Sequence, residues 1–456
     1  MQGTVLAHGT FDLLHLGHIR HLREAREQGS RLIVSVTDDP FVAKGPGRPC
    51  FTVAQRIEAL LALDCVDDAI VSPGPDAVDV INALKPAVYV KGCDYAEHHD
   101  AALDREVAAV TAHGGRFHVT RSDKWSSTRI INGERLDEDC IRYLDSARAR
   151  GFADHIAAAF ERADKLKIAF VGETIIDRYH YVSPLGKPVK EFCLATVEAK
   201  EAEEFLGGVI AASKHAEWPH VAVVTSGQFI RKTRYVDVAF NRKLFEVYSE
   251  REIELNKTQR AAFQVDLAEV VDSSDVVVVL DFGHGLMGPQ ERETIEESAW
   301  SAVNAQTNTG NFGFNQVTKY VRGADYVCVD DPEARLATGL QVDPMKDVIS
   351  VLSDLMRCSH TIVTNGRNGC LSYSQEYLDQ RLFPIHVPAF ATNGIDTMGA
   401  GDAFLAVTAP LVAAGLGLEE AGFVGNVAGA IKVGILGHRR HVGRQELIQS
   451  VEALLK

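Results

Sequence analysis

No two of the eight cysteines, at positions 50, 65, 93, 140, 193, 328, 358 and 370, stand at Cys-x-x-Cys or another close metal-ligand spacing. A metal module built on clustered thiols is thereby excluded, and reduced, mostly buried thiols are the expectation. Positive charge is also short: 47 Lys and Arg stand against 62 Asp and Glu, a net charge of -15. A nucleic-acid backbone is therefore a poor partner, although local basic pockets for small phosphates stay open. No apolar run reaches the 18 residues of a membrane helix, and Met1-Gln2-Gly3-Thr4-Val5 carries no basic patch leading into a long apolar stretch. The expectation is a cytoplasmic protein without a membrane partner.

What is present is apolar and folded in character. Hydrophobic residues make up 46% of 456 residues, more chain than one core usually serves, so two domains are expected. The first 130 residues alternate apolar strands at 4–7, 31–36, 68–71, 87–91 and 116–119 with helical patterns at 18–28, 53–63, 77–84 and 99–113. Strands apolar on both faces, separated by amphipathic helices, imply a parallel sheet covered on both sides. Residues 136–166 carry Ile141, Leu144, Phe152, Ile156 and Phe160 at helical spacing, with Arg148 on the same stripe and Gly151 after it. That segment reads as a helical linker between domains 1–135 and 167–456, or as two helices capping one of them. From Ile168 further strands are expected at 168–171, 221–224, 276–280, 326–329 and 361–363, with helices at 403–415 and 419–434 and extra strands or a lid within 233–248. The second domain is therefore also α/β.

Two loops carry the chemistry. In His8-Gly9-Thr10-Phe11-Asp12-Leu13-Leu14-His15-Leu16-Gly17-His18, a strand runs through a glycine loop into a helix start, where free backbone N–H groups and the helix dipole meet an anion. His15 and His18, three apart, can turn both rings toward one phosphoryl group. Lys44, Arg48 and Arg56 could reach phosphate oxygens, Lys91-Gly92-Cys93-Asp94-Tyr95 ends a strand where open sheets place ligands, and Ser126-Ser127-Thr128 offers hydroxyls or a simple helix cap. In the second domain, Asp396-Thr397-Met398-Gly399-Ala400-Gly401-Asp402 precedes a small-residue helix. Its glycines admit close backbone approach, its amides make an anion hole, and Asp402 can accept a hydroxyl proton.

On these residues, 5–131 resembles the cytidylyltransferase-like nucleotidyltransferases, and most nearly the adenylyltransferase half of the bifunctional heptose-7-phosphate kinase/heptose-1-phosphate adenylyltransferases. The resemblance implies a Rossmann-like domain in which His15 and His18 stabilise the α-phosphate in transfer and Lys44 holds phosphates. It further places Ser127 and Thr128 on the β/γ region, assigns Gly9, Thr10, Phe11, Gly17, Arg56, Lys91 and Asp94 to nucleotide, and puts Asp12 on substrate. Residues 167 to about 450 are similar to the ribokinase-like (PfkB) carbohydrate kinases. That likeness makes Asp402 the base, Gly399, Ala400 and Gly401 the anion hole, and Asp177, Arg178, Gly207, Gly208 and Asp281 the sugar side. Glu333 is then the residue that organises magnesium-bound water, and Thr364, Gly366 and Asn426 face the nucleotide.

Three departures accompany the likeness. Asp330 stands where the kinase pattern has Asn, Gly207-Gly208-Val209-Ile210-Ala211 replaces Gly-Gly-Ala-Ala-Asn, and the nucleotidyltransferase precedes the kinase. Loss of the sugar-binding amide at Ala211 alters substrate discrimination more than reaction type, and bulkier Val209 and Ile210 narrow the pocket. The implied cofactors are ATP and Mg2+, with CTP as an alternative donor in the first domain. The implied partners are a sugar phosphate and nucleotides, and a second copy could pair through the first domain, the 136–166 helices or an inserted sheet. Three readings stay open: two coupled steps on heptose 7-phosphate, the same chemistries on another sugar or polyol, or a nucleotidyltransferase whose kinase-like half only binds or regulates.

Overall fold

The structure, a computed structural model, describes residues 3–42, 48–92, 101–120, 136–186, 193–240, 242–374, 383–391 and 394–456. The chain divides into two compact units, Met1–Asp137 and Glu138–Leu455.

The first unit is a five-stranded parallel sheet of β1 (Thr4–Gly9), β2 (Arg31–Thr37), β3 (Asp68–Ser72), β4 (Val88–Lys91) and β5 (Arg116–Val119), in the order β3-β2-β1-β4-β5. Val5, Ala7, Leu32, Val34 and Val36 pack into one core, while Leu6, Ile33 and Tyr89 point into another with Val80, Ile81 and Val110. Burial on both faces is why these strands read as continuous apolar runs. Chain order reverses at β1 and β4, and ligand sites of such sheets form beyond the carboxyl ends of the strands at that point. The His8–His18 loop begins there.

The second unit opens with the two helices of the 136–166 segment, Glu138–Ala149 and Phe152–Ala163, separated by Gly151 at φ 73. The linker expected over 136–166 is instead packed into this unit. The Arg150 guanidinium grips both Glu419 oxygens at 2.6 and 2.7 Å, Arg148 donates to the Leu454 carbonyl at 2.9 Å, and Phe160 stacks on Trp218.

Beyond them runs an eight-stranded sheet, ordered β17-β16-β15-β14-β13-β12-β6-β9. Its strands are β6 (Ile168–Gly172), β9 (Val221–Val224), β12 (Val276–Asp281), β13 (Ser301–Ala305), β14 (Tyr326–Asp330), β15 (His360–Thr364), β16 (Cys370–Ser374) and β17 (Ile385–Val387). Pairing is parallel from β9 to β15 and antiparallel at the β16 and β17 edge. A separate four-stranded sheet, β11-β10-β7-β8, is built from β7 (Thr174–Pro184), β8 (Thr196–Gly208), β10 (Phe229–Asp237) and β11 (Arg242–Tyr248). It contains the strands expected within 233–248. Its alternate residues Ile175, Asp177, Tyr179 and Tyr181 on β7, with Ile230, Lys232, Arg234 and Val236 on β10, are buried, so one face is covered. The covered face is unusual in carrying three charged side chains.

Candidate active sites

At the end of β1 the chain turns sharply. Phe11 adopts φ 48 and packs its ring against Gly9, where an added Cβ would lie 3.1 Å from it. Asp12 is buried and does not face outward: its Oδ1 accepts from the amides of Cys50 and Phe51 at 2.7 and 3.0 Å, and its Oδ2 from Arg48 Nε. Burial alone would raise this carboxyl, yet the two amides and the guanidinium outweigh it and hold the pKa low. Asp12, expected on substrate, thus anchors the 48–51 segment.

Arg56 is likewise committed inward. With 1% of its surface exposed, it donates to the carbonyls of Thr10 at 2.6 Å and Phe51 at 3.0 Å and to Asp39 at 2.6 Å. A guanidinium so enclosed positions the loop rather than meeting a phosphate.

His15 is the N-cap of helix Leu16–Arg26, its Nδ1 accepting from the His18 amide at 3.3 Å. In the neutral ring that bond places the proton on Nε2, which then serves as a donor. Burial lowers the His15 pKa. The His15 and His18 rings stack with centroids 3.9 Å apart, and Phe11 meets His18 edge-on at 5.3 Å. The pair predicted from spacing therefore forms one imidazole platform, next to buried Gly17.

Lys91, at the carboxyl end of β4, pairs with buried Glu106 at 3.1 Å, and Glu106 also accepts from the Ala77 amide. His8, bonded to Ser35, and His21, bonded to Thr120, are pulled down to about 3 and about 4, first by burial and then by the Lys91 charge. Both imidazoles are neutral beside this cation. No motif pointed to His21, Glu106 or Thr120, and the His8–His18 motif gave His8 no role, because their contacts join residues 27 to 99 apart in the chain. Lys44, Asp94, Ser127 and Thr128 lie outside the described residues.

In the second unit the blocks expected on the sugar side and the phosphate side meet through His438, a residue that no motif marked. Buried Asp177 on β7 binds Arg234 through Oδ1 and the His438 Nε2 through Oδ2 at 3.2 Å. Burial works to raise Asp177, but His438 and Arg234 prevail and bring it down to about 2. His438 also packs against Gly399: a Cβ there would lie 3.0 Å from the imidazole Cε1, and Gly399 already has φ 71. Gly207 is equally constrained, since its Cβ would stand 2.5 Å from Asp177 Oδ2. Gly208 follows at φ 61, its missing Cβ facing the Glu173 carbonyl. Val209, expected to narrow the pocket, is wholly buried and its amide donates to the Glu173 carbonyl. Arg178 is on the outer face of β7 beside Glu204 at 3.8 Å, because successive strand residues alternate faces. It is separated from Asp177 by the sheet itself.

Asp402 sits in the first turn of helix Ala400–Ala413. The enclosing protein pushes its pKa up, against the pull of His438, Lys432 and Lys232. The Ala400 amide is used by Thr397, whereas among the described residues those of Gly401 and Asp402 donate to no protein acceptor. Upstream, Asp396 accepts from Tyr179 Oη at 2.9 Å, Lys243 Nζ at 3.0 Å and the Gly437 amide at 3.0 Å, so it fixes the loop. Asp281 is also saturated, by Tyr320 at 2.6 Å, Lys319 at 2.5 Å, Asn315 and the Gly283 amide. It shapes the strand end rather than offering a free oxygen to a sugar.

Glu333 and Asp330 form a reciprocal cap on helix Asp331–Thr338, each carboxylate taking the other's amide, and Glu333 also accepts from Thr307. Burial and then the Asp330 charge push Glu333 up to about 8. The Asp330 departure thus keeps the capping geometry of an Asn and adds a repelling charge. Glu173, wholly buried near Asp281, is raised to about 7, by burial first. Carboxyls with raised folded pKa values bind protons more tightly in the folded state, so their contribution falls as pH rises from about 4.5 toward 8. Without divalent cation, urea midpoints at pH 5 and 8.5 should show the wild type losing stability and E333Q losing less. Equal losses would show that Glu333 does not titrate in this window.

On the neighbouring strand, half-buried Thr364 ends β15 in register with Asp330, and Gly366 takes φ 51 in the next turn. Asn426 donates to the carbonyls of Val387 and Pro388 at 3.0 Å each, a structural tie rather than a free amide.

Residues 6–133 match the cytidylyltransferase-like family and residues 241–440 the pfkB family of carbohydrate kinases. The chain joins a cytidylyltransferase-like domain to a pfkB-family kinase domain. The first is homologous to the bifunctional protein HldE of Pseudomonas fluorescens (strain SBW25), 41% identical over 134 residues, which are 28% of this chain and 27% of that protein. HldE of Pseudomonas putida (strain GB-1) is 42% identical over 131 residues, 28% of this chain and 26% of the relative. The match therefore spans about a quarter of those relatives. For the kinase domain, phosphofructokinase-2 from Escherichia coli shares the fold: 13% identity, TM-score 0.51, covering 64% of this chain and 100% of that one. The Rossmann-like and ribokinase-like architectures read from the sequence are those of the structure. Among the described residues no helix is long and apolar enough to cross a membrane.

Proposed function

We propose that the chain is a bifunctional sugar-activating enzyme. The kinase domain phosphorylates the anomeric hydroxyl of a sugar phosphate from ATP, and the cytidylyltransferase-like domain joins the resulting 1-phosphate to a nucleotide. The reading rests chiefly on Asp402, a desolvated carboxylate at a helix start whose Gly401 and Asp402 amides stay available, with Asp177 and His438 opposite. In the first step Asp402 takes the hydroxyl proton as the sugar oxygen attacks the γ-phosphorus. The bond to the ADP oxygen breaks, and the free amides meet the charge on the transferring group. In the second step the sugar 1-phosphate is already an anion and needs no base. Its oxygen attacks the α-phosphorus, pyrophosphate leaves, and the His15/His18 platform at the helix start opposes the growing charge.

Among the described residues no three His, Cys, Asp or Glu converge as a metal cage. The raised Glu333 beside Asp330 suits a divalent ion that arrives with nucleotide phosphates and water, and such an ion would relieve their mutual repulsion. When bound, Mg2+ would supply charge neutralisation for the phosphates.

Heptose 7-phosphate is the acceptor implied by the resemblance to the bifunctional heptose-7-phosphate kinase/heptose-1-phosphate adenylyltransferases, with ATP as the donor for nucleotidyl transfer and CTP as the alternative. Mass spectrometry of products from heptose and hexose phosphates with ATP and CTP tests the whole reading. The expected product is one nucleotide-sugar formed through a bisphosphate or sugar 1-phosphate intermediate. Absence of phosphoryl transfer to every acceptor would leave the kinase domain as a binding module.

A further inference from the structure

The kinase pocket holds a buried cation that the steps above do not use. Lys232 lies on the covered face of the four-stranded sheet, with Asp177 in register on β7, Tyr248 in register on β11 and Arg234 two residues along on the same face. It is 5% exposed, and among the described residues no carboxylate oxygen lies within ion-pair reach of its ammonium. Asp177 is already held by Arg234 and His438, and Glu246 is turned to Arg234. Its described contact is with the Tyr248 ring, whose centroid is 5.2 Å from Nζ. A buried ammonium without a counter-ion is costly to fold, and burial pulls this one's pKa down. Lys232 and Asp402 also act on each other's charge, so the cation belongs to the same group of charges as the candidate base.

We propose that Lys232 is a phosphate-binding residue of the acceptor pocket, its missing counter-ion being a phosphate dianion of the reactants. The inference rests on the kinase reading and deepens it: the pocket is built for an anionic acceptor or for a phosphoryl group in flight. Arg234, locked by Asp177 and Glu246, holds the wall while Lys232 keeps its donors for the ligand.

The test compares wild type, K232M and K232R as full chains. Because methionine replaces an unpaired buried charge, K232M should melt no lower than wild type, whereas a residue serving only an internal ion pair would lose stability. Binding of inorganic phosphate to the kinase site, followed by calorimetry with wild type and D402N alongside, should weaken roughly 10- to 100-fold in K232M, the worth of one charge-assisted hydrogen bond. K232R should retain most of it. Kinetics then identify the source. A raised KM confined to phosphorylated sugars assigns Lys232 to the acceptor's own phosphate, and a lowered kcat on phosphorylated and unphosphorylated sugars alike assigns it to the transferred group. Unchanged phosphate affinity and unchanged kinetics in K232M overturn the proposal. If the wild type transfers no phosphoryl group, the kinase reading fails, and the phosphate titration still decides Lys232.

Discussion

The D402N protein should fold, bind nucleotide and lose phosphoryl transfer by about 10²- to 10⁴-fold in kcat, the usual worth of a positioned general base. Asparagine keeps the shape at the first turn of helix Ala400–Ala413 but cannot accept the hydroxyl proton. The Asp402 carboxylate enters no hydrogen bond or ion pair among the described residues, so its replacement breaks no such contact. It also removes a charge that the surrounding protein disfavours, and the melting temperature should hold or rise. ADP formation with a sugar phosphate acceptor measures the loss. Pyrophosphate release with sugar 1-phosphate as acceptor, the reaction assigned to the other domain, supplies the internal control and should stay at the wild-type rate. A variant that phosphorylates as fast as wild type would remove Asp402 from the chemistry.

The parts of the fold that the sequence made legible are those where local pattern and tertiary environment agree. The three central strands of the first sheet, β1, β2 and β4, are buried on both faces and stand out as apolar runs. β8 does not: Thr196 to Leu206 carries Glu198, Lys200, Glu201, Glu203 and Glu204, a composition suited to a solvated helix. It is a strand because pairing with β7 from Thr174 to Pro184 outweighs propensity. The same gap separates the site candidates that local sequence names from those that it does not. Glycine loops and His-x-x-His are local, so Asp402, Gly399, His15 and His18 could be named in advance. His438 and Lys232 are functional candidates through neighbours more than fifty residues away, Asp177 above all. Conversely, Arg56, Asp12 and Asn426 were named for their chemistry, but the fold directs that chemistry at its own backbone. A residue type announces what it can bind, and only packing decides whether that capacity faces a ligand.

That distinction can be measured at the histidine platform. H18A should lower pyrophosphate release from nucleoside triphosphate and sugar 1-phosphate by about 10²- to 10³-fold, the loss typical of one donor to a developing phosphoryl charge, with kinase activity intact. H15A should lose activity comparably and stability as well, by about 1 kcal/mol, because His15 also caps helix Leu16–Arg26 through the His18 amide. The amide survives in H18A, so that cap remains. Urea midpoints and initial rates on the two variants therefore separate the roles: both variants should slow the transfer, while only H15A should also loosen the helix. An H18A protein with wild-type pyrophosphate release would place the nucleotidyl transfer elsewhere in the domain. The stacked pair, 3.9 Å between centroids, would then be a structural cap and its neighbour.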